Sequence, residues 1–118
     1  FFSELIMIKL VKISAYDCDI CNALAEVDDA IAKENNMEIQ VIPLEVLSQM
    51  DEGNNVRDYV VSYYVNATDG AIDVPIYLVV QDNDIKASSV VGEEAELHNL
   101  LFAWERYLQL SSNEPATT

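Results

Sequence analysis

Two runs of this chain are apolar on every side, and they decide its architecture. Leu5 to Ser14 and Ile76 to Val80 are rich in β-branched and other apolar residues and lack the strict alternation of a strand with one wet face. Such strands need both faces covered, so they belong inside a sheet with helices above and below it. The sequence therefore predicts an α/β domain in which the first strand is central.

The segments between and after these runs fill in the order. Ile20, Leu24, Val27 and Ile31 recur at spacings of four, three and four, which predicts one helix over 18–35. Glu26, Asp28, Asp29, Lys33 and Glu34 are expected on its other faces. Glu38 to Val46 reads as a second strand; Pro43 has no N–H to donate, which confines that strand to an edge or ends it. Strand, helix and strand in succession predict a right-handed crossover with parallel pairing. The polar stretch Leu47 to Asn55 connects to a short helix carrying Val56, Val60, Tyr63 and Tyr64, whose tyrosines are expected in the core with their hydroxyls at its rim. Thr68-Asp69-Gly70 breaks the pattern. Ile76–Val80, the turn Gln81–Asp84 and the alternating stretch Ile85–Val91 then predict an antiparallel hairpin. Gly92 ends the hairpin, and Glu93 to Leu110 is the last helix, with Leu97, Leu100, Leu101, Trp104 and Leu108 on its apolar stripe. The result is a mixed sheet of about four strands flanked by helices. A length of 118 residues at 51% hydrophobic content sustains one core, so 1–110 is expected as a single domain. Residues 111–118 offer no large apolar anchor and are expected as a flexible tail.

Six Lys and Arg stand against 21 Asp and Glu, a formal net charge of −15. That surface repels phosphate backbones and anionic headgroups, which argues against nucleic acid and membranes as partners and favours proteins with basic docking faces. Acidity also serves solubility by itself. The apolar stretch 1–11 is broken by Glu4 and Lys9 and lacks the basic start and small-residue cleavage site of a secretory signal. It is also too short to span a bilayer, so a cytoplasmic, reducing location is expected.

Cys18 and Cys21 are the only cysteines. One close pair is not a stapling framework, and a zinc site would need two more ligands where the chain offers only His98. A metal within one chain is therefore not expected, although a site shared between two subunits stays open. In the redox reading, Cys18 opens the helix with the more exposed sulfur and Cys21 lies one turn inside. Cys18 attacks a partner disulfide as thiolate, and Cys21 resolves the mixed disulfide. Asp17 and Asp19 flank the nucleophile; their carboxylates disfavour its thiolate, which points to a reducing couple. No cofactor beyond the redox-active Cys18–Cys21 disulfide is called for.

Taken together, the central strand, Cys-Asp-Ile-Cys opening a helix, Val74-Pro75 ahead of a strand, the hairpin, Gly92 and the final helix resemble thioredoxin over about Leu5 to Leu108. That resemblance implies a thioredoxin-like fold, a cis bond before Pro75, packing of Pro75 on the disulfide, and pairing of the Val74 backbone with an extended substrate segment. Gly92 would line the same groove. A cis proline offers no competing N–H and turns the preceding backbone groups toward a substrate. The departures are equally specific. Thioredoxin has Trp where this chain has Asp17, and Gly-Pro where it has Asp19-Ile20. In place of a buried aspartate that moves protons to and from the inner cysteine, this chain has Lys12, expected to snorkel outward or to pair with a carboxylate such as Asp17. Only a few residues precede the first strand, which leaves a trimmed sheet closer to the minimal fold that glutaredoxin shares, yet no glutathione-anchoring basic residues accompany the cysteines.

The resemblance implies a thiol-disulfide oxidoreductase that reduces disulfide-containing client proteins and is itself recharged by an upstream thioredoxin-type reductase. The competing reading is a thioredoxin-fold interaction module whose thiols do not turn over. Loss of activity in Cys18→Ser separates the two.

Overall fold

A computed structural model of the chain describes the backbone of residues 8–113 and the side chains of residues 8–106. Strand β1 (Ile8–Ser14) lies inside a four-stranded sheet of order β2-β1-β3-β4. It runs parallel to β2 (Glu38–Pro43) and antiparallel to β3 (Ile76–Gln81), and β3 turns back into β4 (Asp84–Val90). The start predicted for the first strand, Leu5–Met7, lies outside the described residues. Asp82 and Asn83 both take positive φ (52° and 72°), the backbone that a two-residue hairpin needs to match the twist of its strands.

The strand faces sort the core into two layers. Leu10, Tyr77 and Val79 pack on one side against Leu24, Ile31 and Trp104, which come from helices α1 (Asp19–Ala25), α2 (Asp28–Glu34) and α5 (Glu94–Asn113). Val11, Ile13 and Leu78 pack on the other side against Leu47 and Val60, from α3 (Leu44–Leu47) and α4 (Asn55–Tyr64). Both faces of β1 and β3 are thus covered, as their composition requires.

Five expectations are corrected. The second strand stops at Pro43 rather than Val46, because Pro43 takes the extended backbone that caps the single turn α3. The helix predicted over 18–35 is two helices: Glu26 and Val27 interrupt it, and no side chain caps the second piece. Ile20 is 47% exposed, so the buried stripe begins at Leu24, and Asp28, expected on an outer face, is buried at 4%. In α4, Tyr63 is 72% exposed. Tyr59 and Tyr64 are the ones packed against the core, each hydroxyl bonded to Ser88 Oγ at 2.8 and 2.7 Å. The last helix reaches Asn113 rather than Leu110, and of the expected tail 114–118 lies outside the described residues.

Candidate redox site

The cysteines stand at the end of β1 where the chain turns into α1. Cys18 is the N-cap of α1, with extended backbone (φ −141°, ψ 104°), and its Sγ accepts the Cys21 N–H at 3.1 Å. Cys18 and Cys21 are joined as a disulfide, with Cα atoms 5.2 Å apart. Cys18 is partly exposed and Cys21 is 2% exposed, so a partner reaches the first sulfur and not the second. Asp17 and Asp19 beside them are exposed. Among the described residues no group of three or more His, Cys, Asp or Glu is arranged to hold a metal ion.

The Val74–Pro75 peptide bond is cis, and Pro75 is buried at the foot of β3. The Pro75 carbonyl accepts the Val91 N–H at 3.0 Å, which ties that turn to the residue before Gly92. Gly92 lines a groove of about 320 Å³ with Ile20, Leu24 and Val27 from the first helical segments, and Glu26, Glu93 and Glu94 rim it. Gly92 has no positive φ; space is what it supplies, since a Cβ there would lie 3.1 Å from Glu96 Oε1. The groove joins Ile20, one of the two residues between the cysteines, to Gly92.

Lys12 pairs with a carboxylate, as one of its two expectations had it, but with a different one. It neither snorkels nor meets Asp17: it is 2% exposed, and its Nζ donates to Asp28 Oδ2 at 2.7 Å and to the Cys21 carbonyl oxygen at 2.7 Å. Tyr77, the cross-strand partner of Lys12 on β3, donates its hydroxyl to the same Asp28 oxygen at 2.9 Å. Burial pushes the Tyr77 phenol far above its usual range, and the bond to Asp28 adds to the rise. Asp28 and Tyr77 are the functional candidates that the sequence reading missed. A sign was there: Leu24, Asp28 and Ile31 follow one another at four and three, which puts an acid on the buried stripe.

No protein-family model matches this sequence, and no curated protein is similar to it. Among solved structures, the chain is similar to a germline-specific thioredoxin, Deadhead, from Drosophila melanogaster, with a TM-score of 0.54 at 14% identity. The similarity covers 82% of this chain and 80% of that one. At that identity the likeness speaks for the fold alone, and the fold is thioredoxin-like: a mixed four-stranded sheet between helices, with a disulfide-bonded Cys18–Cys21 pair opening α1.

Proposed function

We propose that the protein is a thiol-disulfide oxidoreductase that reduces disulfides in client proteins through Cys18 and Cys21. The observation that carries this reading is the pair itself: a partly exposed Cys18 on the N-cap of α1, bonded to a buried Cys21 a turn inside. In the reduced protein, the Cys18 thiolate attacks one sulfur of a client disulfide, and the other client sulfur leaves as thiolate. The Cys21 thiolate then attacks Cys18 Sγ, closes the Cys18–Cys21 disulfide and expels the remaining client sulfur. The two electrons lost by the dithiol are restored by a dithiol donor, either a reductase or a small molecule. The Cys21 N–H aimed at Cys18 Sγ supports this order, because a donor at that sulfur favours its thiolate. Asp17 and Asp19 oppose it and bias the couple toward reduction of others.

Val74, Pro75 and Gly92 form the platform for the client backbone in this reading, and the glutamates of the adjoining groove favour clients with basic surfaces. Among the described residues no helix is long and apolar enough to cross a membrane. A cytoplasmic location fits a dithiol that must be kept reduced.

The test is turnover of a generic protein disulfide with dithiothreitol as donor. Wild type is expected to turn over and Cys18→Ser to lose activity by at least a hundredfold, an order-of-magnitude expectation for removal of the attacking thiolate. A pair that oxidises without turning over would instead make the molecule a docking module.

A further inference from the structure

We propose that Lys12, held by Asp28 and Tyr77, is a positioning residue that favours the thiolate of Cys21, so that the resolving step proceeds without a neighbouring base. The inference rests on the oxidoreductase reading above and concerns its second half.

The polarity of the buried cluster points this way. The Lys12 ammonium bonds directly to the peptide oxygen of Cys21, the residue that carries the resolving thiol. Its counter-ion Asp28 stands at the start of α2, and part of the carboxylate charge is taken up by the Tyr77 hydroxyl. Of the two charges, the ammonium is the one bonded to Cys21, while the carboxylate is bonded to Lys12 and Tyr77. Lys12 and Asp28 have side chains only 3% and 6% exposed, and Cys21 is 2% exposed, so little water intervenes to screen the field. A cation bonded to the backbone of the residue that carries the thiol, in an enclosed site, favours the thiolate, which is the form that attacks.

The opposing groups are identifiable. Burial of Cys21 and the charge of Asp28 both favour the thiol. Asp17 and Asp19 near the cysteines, with Glu26, Glu93 and Glu94 around the adjoining groove, add negative charge, but all five are exposed and screened by solvent. Tyr77 stays a neutral donor at ordinary pH. Lys12 is the one of these charges that makes a direct bond to Cys21.

In the step affected, Cys21 loses its proton to solvent and its thiolate attacks Cys18 Sγ. The Cys18–client bond breaks, and the client sulfur leaves with the electron pair and takes a proton from solvent.

The test uses the full chain, reduced, freed of reductant and mixed with a symmetrical nitrobenzoate disulfide. Attack by Cys18 releases one coloured thiolate; displacement by Cys21 releases the second. The pH dependence of the second phase reads the ionisation of Cys21, with the first phase as internal reference. Lys12→Met alone strands Asp28 in the core, so the decisive variant is Lys12→Met/Asp28→Asn, which removes both charges and keeps an acceptor for Tyr77. Its second phase is expected to be ~10-fold slower at about pH 7, with a midpoint raised by about one unit. Lys12→Arg is expected to retain most of the wild-type rate. Tyr77→Phe, which returns the full Asp28 charge to the pair, moves the midpoint the same way by less. A midpoint unmoved in a folded variant overturns the proposal. Absence of the first phase in wild type would instead defeat the oxidoreductase reading itself.

Discussion

Lys12 lies on a strand where Leu10, two residues before it, and Tyr77, across from it, are fully buried. A lysine there must find a counter-charge, because an unpaired buried ammonium costs several kcal/mol. Asp28 answers it, and Tyr77 completes the carboxylate's bonding with a hydroxyl that is itself out of water. Tyr77 gives this cluster a pH dependence with a definite sign. Its folded pKa is raised, so the native state holds the phenolic proton more tightly than the unfolded chain does. The resulting stability is fully present below the unfolded value of about 10 and is lost as pH rises above it. Tyr77→Phe removes a hydrogen bond to a charged group and is expected to cost about 1.5–3 kcal/mol at about pH 7. Denaturant midpoints at about pH 8 and about pH 11 should show that gap narrowing. A constant gap would mean that the phenol's ionisation is not linked to folding. At this scale the sequence exposed half of the cluster. A lysine inside an apolar strand announces that it needs a carboxylate. It cannot say which one, because Asp17 is near in sequence while Asp28 becomes near only once α2 packs on the sheet.

The break between α1 and α2 lies beside the same cluster. Leu24, Asp28 and Ile31 all turn toward the sheet, and the interruption at Glu26 and Val27 falls immediately before Asp28. Periodicity alone read the segment as one helix because Val27 and Ile31 keep the helical spacing across the break. By contrast, the buried strands, the parallel crossover, the hairpin and the edge position of the Pro43 strand were all legible, since each depends on composition or on a missing N–H rather than on a distant partner. In α4, Tyr63 was misassigned because Tyr59 and Tyr63 are helical neighbours, with ring centroids 4.8 Å apart, and either could have faced inward. Helix α5 has a starting device that also borders the site. Glu96 Oε1 accepts the N–H groups of Gly92 at 2.7 Å and Glu93 at 3.1 Å, half of a capping box. Glu96→Ala is expected to cost about 1 kcal/mol and to lower the melting temperature by about 4 °C. Glu96→Gln, which keeps an acceptor, should recover most of it. Equal losses in both would show that the carboxylate acts through its charge at the helix start and not through these bonds.

Across the whole molecule, charge and site point the same way. The net charge of −15 surrounds a Cys18–Cys21 pair whose neighbours Asp17 and Asp19 are exposed, beside a groove rimmed by Glu26, Glu93 and Glu94. The positive charge of Lys12, by contrast, is enclosed, where it adds nothing to the surface. An anionic rim attracts cationic clients during diffusion and repels anionic ones, and salt weakens both effects. Between about 0.01 and 0.15 M salt the Debye length falls from about 30 to about 8 Å. Over that range kcat/KM for a cationic protein disulfide is expected to fall on the order of tenfold, and for an anionic one to hold or rise. The chemistry between sulfurs is the same for both clients, so the difference in salt slope isolates the encounter. Matching slopes would assign the acidity to solubility alone and leave client choice to the groove between Ile20 and Gly92.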